Sequence, residues 1–174
     1  MSELRTNRII PRDGLPSGSA GGIIQVKQTV KTDTFSTTST SATDVTGLSV
    51  SITPTRSDSK ILVMYDVRAS CENIQMSFFL VRGSTKIYIG NADGNRIAAT
   101  SVVGGIPDPS ESHRYPQQMT ATFLDSPSTT SSTTYKVQCQ VNSGTGYVNR
   151  SGNDSNDAYR ARVPSSITVM EISG

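Results

Sequence analysis

The stretch KILVMYDVRAS, residues 60–70, carries the clearest strand pattern in the chain. Apolar residues recur at every second position, which is the period of a β-strand. The residues that share this first apolar face are Ile61, Val63, Tyr65 and Val67. Leu62 and Met64 point the other way, so both faces of the strand are apolar where it starts. A strand that is apolar on both faces lies at the centre of a sheet or at a subunit contact.

The same period-2 pattern continues on both sides of this stretch. Further strands are predicted from alternation at 23–31, 48–52, 75–82, 86–89, 119–124, 135–141 and 167–172. Shorter apolar stretches at 97–103 and 147–149 are candidates for additional strands. No long amphipathic helix is predicted, and about eight short strands separated by turns indicate an all-β sandwich or barrel. We expect an antiparallel, jelly-roll-like β-sandwich with its first and last strands side by side.

The chain divides into an arm and one domain. Residues 1–22 show neither strand nor helix periodicity and end in a Gly/Ser hinge, whereas residues 23–174 form the β-sandwich domain. The arm carries apolar and arginine residues suited to docking on another protein, namely Leu4, Arg5, Arg8, Ile9, Ile10 and Arg12. Apolar side chains fill grooves on a partner, and guanidinium groups form forked hydrogen bonds to its oxygens. We expect residues 1–20 to anchor the domain.

Composition excludes several function classes. A net charge of +2 lacks the basic footprint of nucleic-acid binders. No apolar run of about 18 residues is present to cross a membrane, and no apolar leader segment indicates secretion. The two cysteines, Cys71 and Cys139, are expected to be buried free thiols, as suits folding in a reducing cytoplasm. The low hydrophobic fraction of 34% favours an oligomer, in which subunit contacts add burial.

The sequence offers little that could carry catalysis. His113 is the only histidine, and no nucleophile-elbow motif or phosphate-binding loop is present. A zinc site needs several histidine or cysteine ligands. The acidic loops at 91–95 and 152–157 lack the spacing of an EF-hand, so we interpret them as turns, with a surface ion as the alternative. We expect no enzyme activity, catalytic residue, metal or cofactor.

One long loop, 142–162, combines tyrosines and arginines with Asn and Asp. Its candidate contact residues are Tyr147, Arg150, Tyr159 and Arg160. These residue types are common in recognition loops. The loop is either an ordinary solvated loop or a rim that binds a glycan or a protein.

The run from residue 23 to residue 67 resembles small virion structural proteins of tailed bacteriophages, including phages of cyanobacterial hosts. In that group a Gln/Val/Thr-rich strand and a Ser/Thr tract lead to TGLSVSITP and SKILV, which here are residues 46–54 and 59–63. The closing SSITVMEI, 165–172, and the leader SELRTNRI, 2–9, also resemble that group. The resemblance covers the first third of the chain and its last strand.

The resemblance implies a jelly-roll-like homotrimer on a virion, made in the host cytoplasm. A threefold assembly would hide an apolar second face that we place at Leu62, Met64 and Leu80. The arm would bind another virion protein of the capsid, neck or tail. We expect a fibre-type protein, with a host glycan or receptor as a further partner of its loops. A capsid decoration (cement) protein, a lectin-like carbohydrate-binding module and a depolymerase are the alternatives in decreasing order.

Overall fold

A computed structural model describes residues 22–104 and 115–174 and shows an all-β fold. Its eleven strands are β1 Ile23–Lys31, β2 Phe35–Thr37, β3 Thr43–Ile52, β4 Lys60–Cys71, β5 Gln75–Arg82, β6 Thr85–Ile87, β7 Ser101–Gly104, β8 Gln117–Asp125, β9 Thr133–Val141, β10 Gly146–Val148 and β11 Ser165–Ile172. Every strand predicted from alternation is present. The short candidate stretches became β7 and β10, and the Ser/Thr tract contains β2.

The strands form two antiparallel sheets. Sheet 1 runs in the order β1-β11-β4-β8. The short strand β10 pairs with the C-terminal end of β4, and β2 pairs with β10. Sheet 2 runs β3-β9-β5, and β6 and β7 share the outer side of β5. The first and last strands pair along their length, from Ile23↔Ile172 to Lys31↔Ser165, as predicted. The expected antiparallel sandwich is therefore confirmed at the level of class and layers.

The core lies between the inward faces of the two sheets. Ile61, Val63 and Val67 of β4 are 0% exposed and pack in one cluster with Leu48 of β3 and Val137 of β9. Alternation in β4, β9 and β11 places their apolar residues inward, because successive side chains on a strand point to opposite faces. Both predicted free thiols, those of Cys71 and Cys139, are buried in this core and are not bonded to each other.

The edge strand β1 departs from this rule. Its apolar residues Val26 and Val30 are each 53% exposed, so they lie on the outward face of sheet 1. The inward side of β1 is polar: the Thr29 hydroxyl donates to the Ser49 carbonyl of β3 at 2.8 Å, and Lys31 is buried and paired with Asp33. The alternation predicted for β1 is correct, and its apolar face points to solvent.

Candidate interaction surfaces

The outward face of sheet 1 carries an apolar row across four strands. The register aligns Val26 of β1 with Met170 of β11, Met170 with Leu62 of β4, and Leu62 with Leu124 of β8. Val26 and Leu124, at the two ends of this outer row, are 53% and 52% exposed, and Leu62 and Met170 are half-buried. Met64 lies in the next register position, between Thr168 and Thr122.

The outer row is unusual for a sheet face in water. Scattered single apolar residues on a surface are normal, but aligned ones that form a contiguous patch mark an interaction site. Adjacent strands lie about 4.8 Å apart, so the row extends about 14 Å from edge to edge of sheet 1. The row therefore offers a continuous apolar contact across the full width of the sheet.

A groove adjoins the outer row further along the same face. It encloses about 400 Å³ and is lined by Val30, Val163 and Pro164 on its apolar side. Its polar side is an ion pair in which Arg68 Nε donates to Asp66 Oδ1 at 3.0 Å, with Gln118 Nε2 donating to Asp66 Oδ2 at 2.9 Å. The Asp66 carboxylate is therefore already bound by Arg68 and Gln118. The polar residues that complete the lining are Gln28, Ser165 and Ser166.

The structure places two of the three predicted interface residues together and separates the third. Leu62 and Met64 share the outward face of sheet 1. Leu80 lies in β5 of the other sheet, is 0% exposed and belongs to the core. Placing Leu80 on the contact face was wrong, because β5 is buried on both faces from Met76 to Val81 and alternation alone does not tell its faces apart.

The loop candidates also divide into two pairs. Tyr147 lies in β10 and is only 7% exposed, because the Arg150 guanidinium covers its ring at 4.3 Å and its hydroxyl donates to Glu72. Burial and the bond to Glu72 raise the pKa of the Tyr147 hydroxyl. Tyr147 is thus buried under Arg150, and proposing it as a direct receptor contact was wrong. Arg150 in turn pairs with Asp154 at 3.4 Å.

Tyr159 is exposed in the loop, and Arg160 beside it is half-buried. Tyr159 is 63% exposed, and the Arg160 guanidinium lies 5.4 Å from its ring centroid. Within the described residues, Nε and Nη1 of Arg160 are buried and have no hydrogen-bond partner. Nearby, the hydrogen bond from Arg162 holds the pKa of the Asp154 carboxyl below its usual value. The accessible part of the pair formed by Tyr159 and Arg160 is therefore the tyrosine ring, because Nε and Nη1 of Arg160 are buried.

Asn149 organises this end of the molecule, and sequence analysis did not identify it. The residue is fully buried and adopts a left-handed φ of 66°. Its Nδ2 donates to the carbonyls of Lys31 and Asp33, both at 2.9 Å, and its Oδ1 accepts from the Ser165 hydroxyl. Asparagine tolerates this backbone region better than most residues. The only sequence signal was an Asn directly after a short strand.

The buried carboxylates have structural partners. Glu171 of β11 accepts from Gln25 Nε2 of β1 at 2.6 Å and from both the amide and the hydroxyl of Thr55 at 2.7 Å. Burial alone would raise the pKa of Glu171, but these hydrogen bonds outweigh it and lower that pKa below its ordinary value. Asp125 accepts from Arg82 Nη1 at 2.8 Å and from the Tyr135 hydroxyl at 2.6 Å. Both groups hold strands together.

The described residues contain no group of three or more His, Cys, Asp or Glu side chains arranged to hold a metal ion. Burial raises the pKa of the Cys139 thiol to about 12 and also raises that of Cys71, so neither sulfur is an activated nucleophile. Among residues 22–104 and 115–174, no helix has the length and apolar character needed to cross a membrane.

The predicted arm and the lone histidine lie outside the described residues. The arm residues are Leu4, Arg5, Arg8, Ile9, Ile10 and Arg12, and the histidine is His113. No protein-family model matches the chain, and a search of curated proteins finds no match in sequence.

Proposed function

We propose that the chain is a non-enzymatic structural subunit of a phage virion, a homotrimer of jelly-roll-like sandwiches that displays its loops as a fibre-type protein. The observation that carries the proposal is the outer row on sheet 1, from Val26 to Leu124. An aligned apolar row that reaches both edges of a sheet favours a subunit contact.

The position of the row favours a ring of copies. It reaches both edges of sheet 1, so the Val26 side of one copy can pack against the Leu124 side of the next. Such a head-to-tail contact is heterologous, and it closes when the rotation between copies fits a cyclic group. Leu62 and Met64, at the centre of the face, would lie nearest the threefold axis.

The order of the strands supports the jelly-roll assignment. From β3 to β5 the chain changes sheet at each strand, and it changes again from β7 to β8, from β8 to β9 and from β9 to β10. A double-sheet jelly roll is built from two Greek keys with such crossings. The β1–β11 pairing places both ends of the domain in one sheet.

The virion assignment depends on the resemblance of residues 23–67 and 165–172 to small phage virion proteins. Residues 1–20 would attach each trimer to a neighbouring virion protein, and three arms would strengthen the attachment through effective concentration. The exposed ring of Tyr159 and the guanidinium of Arg160 form the candidate contact for a host glycan or receptor.

Incorporation into particles tests the proposal. Particles of the phage that encodes the chain would be assembled with either the full chain or a variant that lacks residues 1–20, and both would be measured by quantitative mass spectrometry. We expect the full chain at a small multiple of three copies per particle, and the truncated chain as a folded trimer that remains unincorporated. Equal incorporation of both forms, or absence of the full chain from purified particles, would reject the proposal.

A further inference from the structure

The strand edges of the sandwich are not equally protected. A free edge exposes unpaired N–H and C=O groups, and proteins blunt such edges with lysines, bulges or short strands. The edge strand β1 carries Lys27 and Lys31 and has a register shift between Ile23 and Gln25. β3 is irregular between Asp44 and Ser49, and β2, β6 and β7 span only three or four residues each.

β8 has none of these features. It is nine residues long, QQMTATFLD, and contains no Lys, Arg or Pro. It pairs with β4 without interruption from Ile61↔Asp125 to Ala69↔Gln117. On its other side, no residue of the described ranges forms a ladder with it. Its single charge, Asp125, is 5% exposed and is bound by Arg82.

Among residues 22–104 and 115–174, side-chain burial leaves this edge open on both faces. Met119 and Phe123 point inward but are only partly buried, whereas their β4 partners Val67 and Val63 are 0% exposed. Tyr88, which follows β6, stacks on Phe123 with ring centroids 5.0 Å apart and covers part of the inward side. Leu124 on the outward side is 52% exposed. An added strand would bury apolar surface on each face and pair the free backbone.

We propose that the free edge of β8 accepts residues 3–10 of a neighbouring copy of the chain as an added strand. This segment, ELRTNRII, is eight residues long and ends at Pro11, so it matches the length of β8 and contains no proline. Its Leu4 and Ile10 fall on one face of an extended chain. Main-chain hydrogen bonds would supply affinity in this mode of recognition, and the alternate side chains would supply specificity.

The length of chain before β1 and the place where it joins the sheet favour this occupant. β1 and β8 form opposite edges of sheet 1, so in a head-to-tail ring the added strand would lie between the β8 edge of one copy and the β1 edge of the next. The twelve residues from 11 to 22 can extend about 40 Å, well beyond the width of the sheet. The inference rests on the proposed oligomer and assigns residues 3–10 to a second copy in the free trimer, so binding of the arm to a neighbouring virion protein would require this segment to leave β8.

Hydrogen exchange of the purified full chain tests the inference. Thr6→Pro removes a backbone donor in the middle of the segment, and Ser19→Pro places the same change in the Gly/Ser hinge as a matched control. We expect exchange of the edge-facing amides in residues 117–125 to rise at least about tenfold in Thr6→Pro and to stay at the wild-type rate in Ser19→Pro. The same exchange in all three proteins would overturn the inference.

A crosslink identifies the donor copy. Thr6→Cys combined with Thr122→Cys, joined by a short bismaleimide, is expected to give covalent multimers, since Cys71 and Cys139 are buried. Crosslinks within single chains only, or protection of β8 in particles but not in the purified chain, would overturn a second copy as the donor. Light scattering on the same samples separates the two proposals: a trimer with an unprotected β8 rejects the added strand alone, whereas a monomer rejects the oligomer.

Discussion

The outward faces of the two sheets differ in kind. On sheet 2, polar side chains of β3 and β9 pair with each other: Asp44 binds Lys136 Nζ at 2.8 Å and Gln138 Nε2 at 2.7 Å, and the hydroxyls of Ser51 and Thr134 lie 2.7 Å apart. On sheet 1, the corresponding face carries the outer row. Both sheets contribute to one core, so the difference is not required by folding. It indicates that the β3–β9 part of the outward face of sheet 2 is built for water and the outward face of sheet 1 for contact.

The largest expected effect comes from charging the outer row. Leu62→Asp combined with Leu124→Asp should weaken self-association at least about a hundredfold, because two half-exposed leucines each contribute more than about 1.4 kcal/mol when buried in a contact. The matched control places the same charges on the exposed Thr46 and Ser49 of β3. Sedimentation velocity of both variants measures the effect, and equal loss of association in both would remove the distinction between the faces.

The next effect concerns the anchor that holds the end of β1, and with it Val30, on sheet 1. Asn149→Ala should lower the free energy of unfolding by about 3 kcal/mol, because it removes buried hydrogen bonds to Lys31 and Asp33 and leaves a left-handed alanine. Asn149→Gly should recover about 1 kcal/mol of this loss by relieving the backbone strain. Urea denaturation of both variants is the measurement. Equal stabilities would show that backbone strain at this residue is unimportant.

Glu171 anchors the other end of β1 and gives that anchor a pH dependence. Since its folded pKa lies below the unfolded value, its contribution is present above about pH 4.5 and is lost as pH falls through the folded pKa. Glu171→Gln should therefore cost about 2 kcal/mol at pH 7 and progressively less in acid. Thermal unfolding from pH 7 to pH 3 measures this difference, and a pH-independent cost would contradict the role of the ionised carboxylate.

The smallest effect is expected on the polar face of sheet 2. Asp44→Ala removes an exposed ion pair with Lys136, so its cost should stay below about 1 kcal/mol and leave the oligomer unchanged. Chemical denaturation and sedimentation of this variant provide the measurement. Dissociation of the oligomer by Asp44→Ala would show that the contact between copies lies on sheet 2 and not on sheet 1.

Local alternation predicted more of the fold than of the surfaces. The two apolar faces of β4 indicated a contact at Leu62 and Met64, because each face of a single strand can be followed along the chain. The same rule failed for Leu80, since β5 is buried on both sides and alternation carries no signal there. Alternation also left open which face of β1 points inward. That orientation depends on the hydrogen bond from Thr29 to Ser49 of β3, which is 20 residues further along the chain.

Long-range polar contacts were beyond prediction from the sequence. Asn149 binds carbonyls 118 and 116 residues earlier in the chain, and Glu171 binds Gln25 from a distance of 146 residues. No local pattern around either residue indicates its partner. These two residues hold β1, the strand that completes the outer row. The sequence alone could therefore predict only part of this contact face.

The mass of the wild-type chain in solution tests the central claim most directly. Static light scattering over a dilution series should give three times the 18.6 kDa chain mass down to low micromolar concentration. That result would assign the outer row of sheet 1 to a contact between copies. A constant mass of one chain at every concentration would contradict the claim, because it would show that the outer row does not bind a second copy.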